Sequence, residues 1–432
     1  AGARRRRPMT PRVTPLAVSL LAAITWALAL AVLSARPELF VVALPLVLAL
    51  AVPMLRRRVP DYSVVHQVSA DRVFEGETVT VTVAVTAKSA VALLELVERL
   101  PPDGELASGR NRAVMALRAG HTASFSYEAR AARGAHDFGT LVVRTRDRWG
   151  VTALERSHVD RKVVRVYPRV APLRSLPRPV HTQTSIGDYV SRALGEGIEP
   201  GDIRQFAPGD RIKQVNWRAS LRLGTLYVTQ HHRERNADVI LMLDTLAAVG
   251  VAHETTLDLG VRAAASVAAA YLARKDRVGL INYGGTIDWV KPGSGRVQYE
   301  RVADTLLRAS VVFTYVMKDL VRVPRRVLPP HALVIAITPL LDARFPQAAL
   351  DLAARGFDLV VVVVSPVDVA RRMSIGSPID QLACRLWTIE RRARLDEFRR
   401  HGIPLIEWNP SAPLEQALAG FARRRARLVS AG

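Results

Sequence analysis

Cysteine is almost absent. Cys384 is the one thiol in 432 residues, which excludes an intramolecular disulfide framework and any multi-thiolate zinc or iron–sulfur centre. Lysine is scarce as well: positions 88, 162, 213, 275, 291 and 318 hold all of it, although Lys and Arg together number 61. An arginine bias of that size can follow GC-rich coding as well as selection for anion binding. The net charge of +22 is spread without aromatic interleaving, a zinc finger or an RNP-like motif, so no specific nucleic-acid partner is expected. Familiar catalytic signatures are missing too. Gly293-Ser294-Gly295 lacks the spacing and lysine of a P-loop, and there is neither a G-x-S-x-G elbow nor an H-E-x-x-H pair. No catalytic residue, cofactor or metal is expected. Hydrophobic residues make up 49%, enough for packed cores, and the length predicts two or three domains.

Two long apolar runs open the chain. Val13 to Ser34 carries no charge over 22 residues, about 33 Å as a helix and sufficient to span a bilayer core. Leu39 to Leu55 is uncharged over 17 residues, about 25 Å and at the lower limit for a span. Arg4 to Arg7 with Arg12 precede the first run and Arg56 to Arg58 follow the second. The positive-inside bias then reads residues 1–58 as a transmembrane helical hairpin in the inner, or plasma, membrane, with the soluble domains cytoplasmic. Two other readings stand beside it. The first run could be a signal peptide, although it is too long and lacks a small-x-small cleavage site. The second could be an interfacial or core helix interrupted by Pro45 and Pro53. Removing the nine basic and one acidic residue of this segment leaves the remainder at +14, which suits anionic inner-leaflet lipids as well as the bilayer itself.

From residue 59 to about 170 the pattern has period two. Valines at 79, 81, 83 and 85 alternate with threonines, and similar runs cover 123–129, 141–146 and 162–167. Separated by turn signals such as Glu75-Gly76 and Arg133-Gly134, these predict an Ig-like antiparallel β-sandwich. Pro168, Pro172, Pro177 and Pro179 then open an extended linker, 171–236. Its densest stretch runs from Arg204 to Ser220. Pro208-Gly209 is turn chemistry, and Asp210 is a good N-cap for a short helix with Ile212, Val215 and Ala219 on one face.

Residues 237–432 alternate apolar strands with helices. The expected strands are 237–244, 277–283, 331–338, 357–365 and 404–408, and the helices 254–274, 296–309, 342–355, 379–401 and 413–428. Such a pattern means a mostly parallel sheet covered on both faces.

The stretch around Trp217 resembles the bacterial domain-of-unknown-function family fifty-eight. The residues that carry the resemblance are Arg204, Phe206, Gly209, Asp210, Lys213, Val215, Asn216, Trp217, Ser220 and Arg222, with Phe206 where tyrosine is usual, Lys213 for arginine and Asn216 for aspartate. Arg133-Gly134, Arg146-Asp147, Trp149-Gly150 and Val166-Tyr167-Pro168 extend it upstream. The resemblance implies a multidomain fold in which the hairpin and sandwich are followed by an α/β von Willebrand A-like domain. It also implies a partner, a MoxR-type AAA+ ATPase. That fold often binds magnesium through Asp-x-Ser-x-Ser and two further loops. Here Asp244 is followed by Leu246 and Ala248, and Thr338-Pro339 stands where a Ser/Thr-Asp pair belongs, so Asp244 is expected to mark a degenerate metal site.

These readings converge on a membrane-anchored, non-enzymatic adaptor with the residues around Trp217 as its signature. The alternative is an envelope-linked enzyme whose site is assembled between the signature and the A-like domain from Arg204, Asp210 and Asp244. A reporter fused after Arg58 is expected to read as cytoplasmic; an external reading overturns the hairpin and the ATPase partnership together.

Overall fold

The computed structural model describes residues 10–36, 38–55, 59–177, 183–207, 212, 215–236, 238–312, 328–374 and 376–430. The chain divides into two compact units, Ala1–Tyr167 and Pro168–Gly432.

The first unit begins with β1 (Thr10–Val13), which leads directly into α1 (Pro15–Leu33), followed by α2 (Glu38–Leu55). Thr14 caps α1 by accepting the Ala17 N–H at 3.1 Å, and Pro15 occupies the first helical position, where no N–H is needed. Trp26, Val32 and Leu33 lie exposed along α1. Among the described residues α1 is the one helix long and apolar enough to cross a membrane; the apolar run in α2, Phe40–Leu55, is shorter. The two helices are in contact.

Nine strands follow: β2 (Tyr62–Val68), β3 (Arg72–Phe74), β4 (Val79–Ala87), β5 (Val91–Arg99), β6 (Gly104–Gly109), β7 (Arg112–Leu117), β8 (Thr122–Ala131), β9 (Gly134–Arg146) and β10 (Thr152–Tyr167). They form antiparallel sheets of order β2-β4-β8-β6 and β1-β10-β9-β5-β7, with β3 added parallel to β10. The alternating valines of β4 are buried, and with Leu94, Leu96, Tyr127, Leu141 and Val143 they fill one core between the sheets. Polar contacts also join the two sheets: His66 Nε2 lies 3.0 Å from Glu98 Oε2, with both side chains buried, while Glu98 Oε1 accepts the Gly139 N–H at 3.0 Å, and His158 Nε2 lies 3.2 Å from Tyr62 Oη.

On the other face of the six-strand sheet, charges alternate from strand to strand. Arg12 of β1 donates to Glu155 of β10, which accepts from Arg144 of β9 at 2.8 Å. Arg144 comes within 3.9 Å of Glu95 of β5, which pairs with Arg112 of β7 at 2.8 Å. Arg144 holds the Glu155 carboxyl below the usual carboxylate range. β1 was not evident in the sequence: it is four residues long, contains Pro11 and adjoins the apolar run.

The second unit starts with an extended segment, 168–177. The Ala171 N–H donates to Ser266 Oγ at 2.9 Å, the N–H groups of Arg174 and Ser175 donate to Glu415, and Tyr271 Oη donates to the Pro177 carbonyl at 2.5 Å. The proline-rich stretch is thus extended, as its prolines require, and fastened along the α/β core. Then come β11 (Gln183–Gln205), α3 (Trp217–Leu223), β12 (Tyr227–Asn236), β13 (Asp238–Thr245), α4 (Thr256–Ala273), β14 (Arg277–Gly284), β15 (Ile287–Gly293), α5 (Gly295–Leu307), β16 (Leu333–Thr338), α6 (Arg344–Ala354), β17 (Asp358–Val364), α7 (Pro366–Met373), α8 (Pro378–Arg400), β18 (Leu405–Trp408) and α9 (Leu414–Ser430). β11 and β12 make an antiparallel hairpin.

The remaining strands form a mixed sheet of order β15-β14-β13-β16-β17-β18, parallel except for the edge strand β15. Side-chain alternation gives each face its own core. Val239, Leu241 and Leu243 pack with α4, α5 and α9, whereas Ile240 and Met242 pack with α6 and α8. A Thr255–Asp258 capping box starts α4, and a Ser377–Asp380 box starts α8.

Gly139 sits where the β9–β10 register shifts between Val159 and Lys162, at φ +96°, with the Asp160 carbonyl oxygen in the space a Cβ would need. Gly76 has φ +93° with open space around it. Gly76→Ala is expected to cost about 1 kcal/mol, the backbone term alone. Gly139→Ala adds displacement of β10 and loss of a bulge, at least about 2–3 kcal/mol. Urea unfolding of the two variants checks the difference.

Candidate functional site

A parallel sheet of this kind offers its crevice where the chain leaves one strand for either side of the sheet, at the C-terminal ends. β13 is that strand, flanked by β14 and β16. Asp244 lies at its end and Thr338 at the end of β16. The Asp244 carboxylate is 2% exposed: its Oδ2 accepts the Thr338 hydroxyl at 2.6 Å and its Oδ1 accepts the Leu246 N–H at 3.0 Å. Thr338 Oγ1 in turn accepts the Leu340 N–H at 2.9 Å. Burial pushes the Asp244 carboxyl up to about 7, and the nearby Asp342 carboxylate adds to the rise.

Cations surround this closed knot. Asp342, expected to open the following helix, accepts the backbone N–H of Arg344 at 2.9 Å and pairs with its guanidinium at 2.7 Å. From α8, Arg394 Nη1 donates to the Leu340 carbonyl at 3.0 Å and Arg391 Nη1 to that of Pro339 at 3.4 Å. Leu246, which stands where a ligating serine would be needed, is buried in the apolar core. A donor set built from Asp244, Thr338 and these arginines does not suit a hard divalent cation. Among the described residues no group of three or more His, Cys, Asp or Glu side chains could hold a metal.

The described signature residues lie around α3 and the strands beside it. Gly209, Asp210 and Lys213 lie outside the described residues. The short helix does not carry Ile212, Val215 and Ala219 on one face. Asn216 is its N-cap, accepting the Ala219 N–H at 3.0 Å, and Ile212 and Val215 precede it. Val215 instead bridges Val228. The physical reason is a local clasp that fixes Asn216 at the start. Its N–H donates to the Tyr227 carbonyl at 2.8 Å, Ser220 Oγ donates to the Asn216 carbonyl at 2.8 Å, and the Tyr227 N–H donates to Ser220 Oγ at 2.9 Å. Ser220 is therefore structural. The Phe206 N–H donates to the Leu226 carbonyl at 2.8 Å, and Arg204 donates to the Gln205 carbonyl at 3.0 Å.

Trp217 and Arg222 point to solvent, and Trp217 is 60% exposed. Leu221, Leu223, Leu226 and Ile212 are exposed beside them in sequence, Leu221 at 85%. Sequence reasoning passed over these leucines; the W-x-x-x-L spacing of Trp217 and Leu221 was the available signal.

A second exposed apolar set lies on α8. Ile379, Leu382, Leu386 and Ile389 are 57–78% exposed, whereas Arg391, Leu395 and Phe398 of the same helix are buried. Spacings of three, four and three are those of a helix–helix seam. Cys384 is partly exposed on the same helix.

A family model described as "Protein of unknown function DUF58" matches residues 202–371, which takes in the signature and most of the strands of the α/β sheet. Uncharacterised proteins of Mycobacterium bovis and Mycobacterium tuberculosis are 29% identical over 123 residues, 28% of this chain. The chain spans 39% of the length of these curated relatives. Among solved structures, the complex of zinc 2-glycoprotein and prolactin inducible protein from human seminal plasma matches 26% of this chain and 98% of its own at 12% identity and a TM-score of 0.19. The C-terminal domain of wzt matches 24% of this chain and 70% of its own at 8% identity and a TM-score of 0.17. Neither likeness is close enough to carry an argument.

Asp244 carries a pH prediction. Its carboxyl titrates near 7 in the fold and near about 3.9 in an unfolded chain. The folded state therefore holds the extra proton, and stability falls as pH rises from about 4 to about 7, then levels off. Asp244→Asn keeps the shape and removes the titration. The variant is expected to gain on wild type by on the order of a few kcal/mol across that window, at about 1.4 kcal/mol per unit. Denaturant unfolding at pH 5 and pH 8 measures it; an unchanged gap refutes it.

Proposed function

We propose that this protein is a membrane-anchored adaptor that docks other proteins through the apolar surfaces of its second unit. The observation that carries the reading is the seam of Ile379, Leu382, Leu386 and Ile389 on α8. Four large apolar side chains at helix–helix spacing, on a helix whose C-terminal half is already packed, form a surface that a partner helix would bury. The exposed Trp217 and Leu221 of α3 offer a second contact of the aromatic and aliphatic kind that dominates interfaces.

The anchor in this reading is a hairpin of α1 and α2, with the arginines of residues 4–7 and 56–58 holding both ends in the cytoplasm. The span of α1 and its contact with α2 support it. The second unit is read as a von Willebrand A-like domain, supported by the strand order with a single antiparallel edge strand. Asp244, closed on Thr338, then ties the ends of β13 and β16 together rather than binding a ligand. That closure also weighs against an enzyme site built on Asp244. The partner is a MoxR-type AAA+ ATPase, implied by the family resemblance, which would supply the nucleotide chemistry that this sequence lacks.

Crosslinked pull-down of the full-length protein from native membranes tests the reading. Wild type is expected to capture an AAA+ ATPase, and Leu382→Glu with Leu386→Glu to reduce capture at least about tenfold, the loss of one or two buried leucines at an interface. Trp217→Ala shows whether α3 shares the contact. Capture of no ATPase removes the partner, and capture unchanged by the α8 pair removes the seam.

A further inference from the structure

The first unit contains a cavity of about 730 Å³ beside the end of the second apolar helix. Val52 and Pro53 of α2 form one wall, with Val59 next in the chain; Arg146, Asp147, Arg148 and Trp149, at the end of β9 and in the turn after it, form another. The same turn holds the start of α1: Thr14 Oγ1 donates to the Val151 carbonyl at 2.9 Å in a buried bond. The cavity therefore lies where both apolar helices meet the sandwich. On the membrane-anchored reading, on which this inference rests, that level is the headgroup region.

The side chains there are short of partners. Arg148 is exposed and makes no ion pair among the described residues. Arg146 reaches Glu95 only at 4.0 Å, and Glu95 already has Arg112 at 2.8 Å. Two guanidiniums are thus available to a phosphodiester. Asp147 accepts the Val151 N–H through Oδ1, while its Oδ2 is buried and accepts nothing. A buried acceptor without a donor calls for a hydroxyl or ammonium from elsewhere. Trp149 is 71% exposed at the rim, as amphipathic rings are at a membrane–water boundary. Apolar chain would continue along Val52, Val59 and the exposed side chains of α2.

We infer that this cavity binds one anionic glycerophospholipid whose headgroup also carries a hydroxyl, of the phosphatidylglycerol type. The phosphate lies against Arg146 and Arg148, the headgroup hydroxyl donates to Asp147 Oδ2, and the acyl chains follow the helices. Phosphatidylcholine has the phosphate but no donor for Asp147, and its net neutrality forgoes the cationic pair. Free phosphate would satisfy the arginines and lack the apolar contact.

Native mass spectrometry of the full-length protein in detergent tests the site, with phosphatidylglycerol, phosphatidylcholine and inorganic phosphate each added alone. One phosphatidylglycerol retained per chain, with phosphatidylcholine at least about tenfold weaker, is the expected result. Arg146→Gln with Arg148→Gln, both solvent-accessible, is expected to lower retention by about tenfold or more while the unfolding midpoint stays put. Equal retention of the two lipids, or retention indifferent to the arginine pair, overturns the proposal. Inorganic phosphate binding as tightly as the lipid overturns the lipid as its source. Alkaline extraction of native membranes distinguishes the two levels of the argument. A wild-type chain that washes off refutes the anchor itself; one that stays embedded but keeps no lipid refutes the cavity alone.

Discussion

The second unit depends on one constraint: the crossovers of a parallel sheet place helices on both of its faces, so a central strand is buried on both sides and needs apolar side chains along its whole length. β13 meets it most fully, with all eight residues buried between β14 and β16. Odd-numbered side chains from Val239 to Leu243 demand helices on one face, and Ile240 and Met242 demand them on the other. The crossovers and the two cores follow from that demand. So does the fate of Asp244. A carboxylate at the end of such a strand is desolvated unless a loop opens around it, and here the Thr338 hydroxyl and the Leu246 N–H close over it.

How legible each part was depends on how local its cause is. The β-branched run of β17 and the alanine-rich α4 announce themselves, because burial on two faces, or along one broad stripe, leaves a continuous pattern. In the sandwich, β4 alternates cleanly and was readable. β5 was not: its pairing with β7 shifts register between Val91 and Leu94, so consecutive apolar residues fall where alternation would be sought. At the signature, Asn216 starts the described helix, because bonds to Tyr227, seven residues beyond Ser220, hold it there; the cap read at Asp210 lies outside the described residues. The Asp244 position was legible and its enclosure was not, since Thr338 is 94 residues away. On α8 the apolar spacing was visible in the letters, but only the fold tells which set is covered.

Buried polar groups serve different ends in the two units. Glu98 reaches His66 on a strand of the opposite sheet and the backbone of Gly139 beside the bulge. A sheet slip by one residue would strand all three groups, so the contact favours one register over its neighbours. In the second unit, Arg391 and Arg394 reach from α8 to the carbonyls of the loop after β16. The helix that presents the exposed seam is by this route fixed, in its C-terminal half, to the loop that encloses Asp244.

The union of β1 with β10 has a mechanical side. α1 continues β1 without a loop, and β1 runs antiparallel to β10, with Val13 opposite Thr152 and Thr10 opposite Glu155. Tension along α1 therefore pulls β1 from the end that faces the beginning of β10, while the chain leaves β10 at its far end, Tyr167. Load arriving from those two directions drags one strand along the other. It must break the backbone pairs and the Arg12–Glu155 contact together, not peel them apart singly. The junction is a lap joint, which makes α1 a stiff tether for the sandwich.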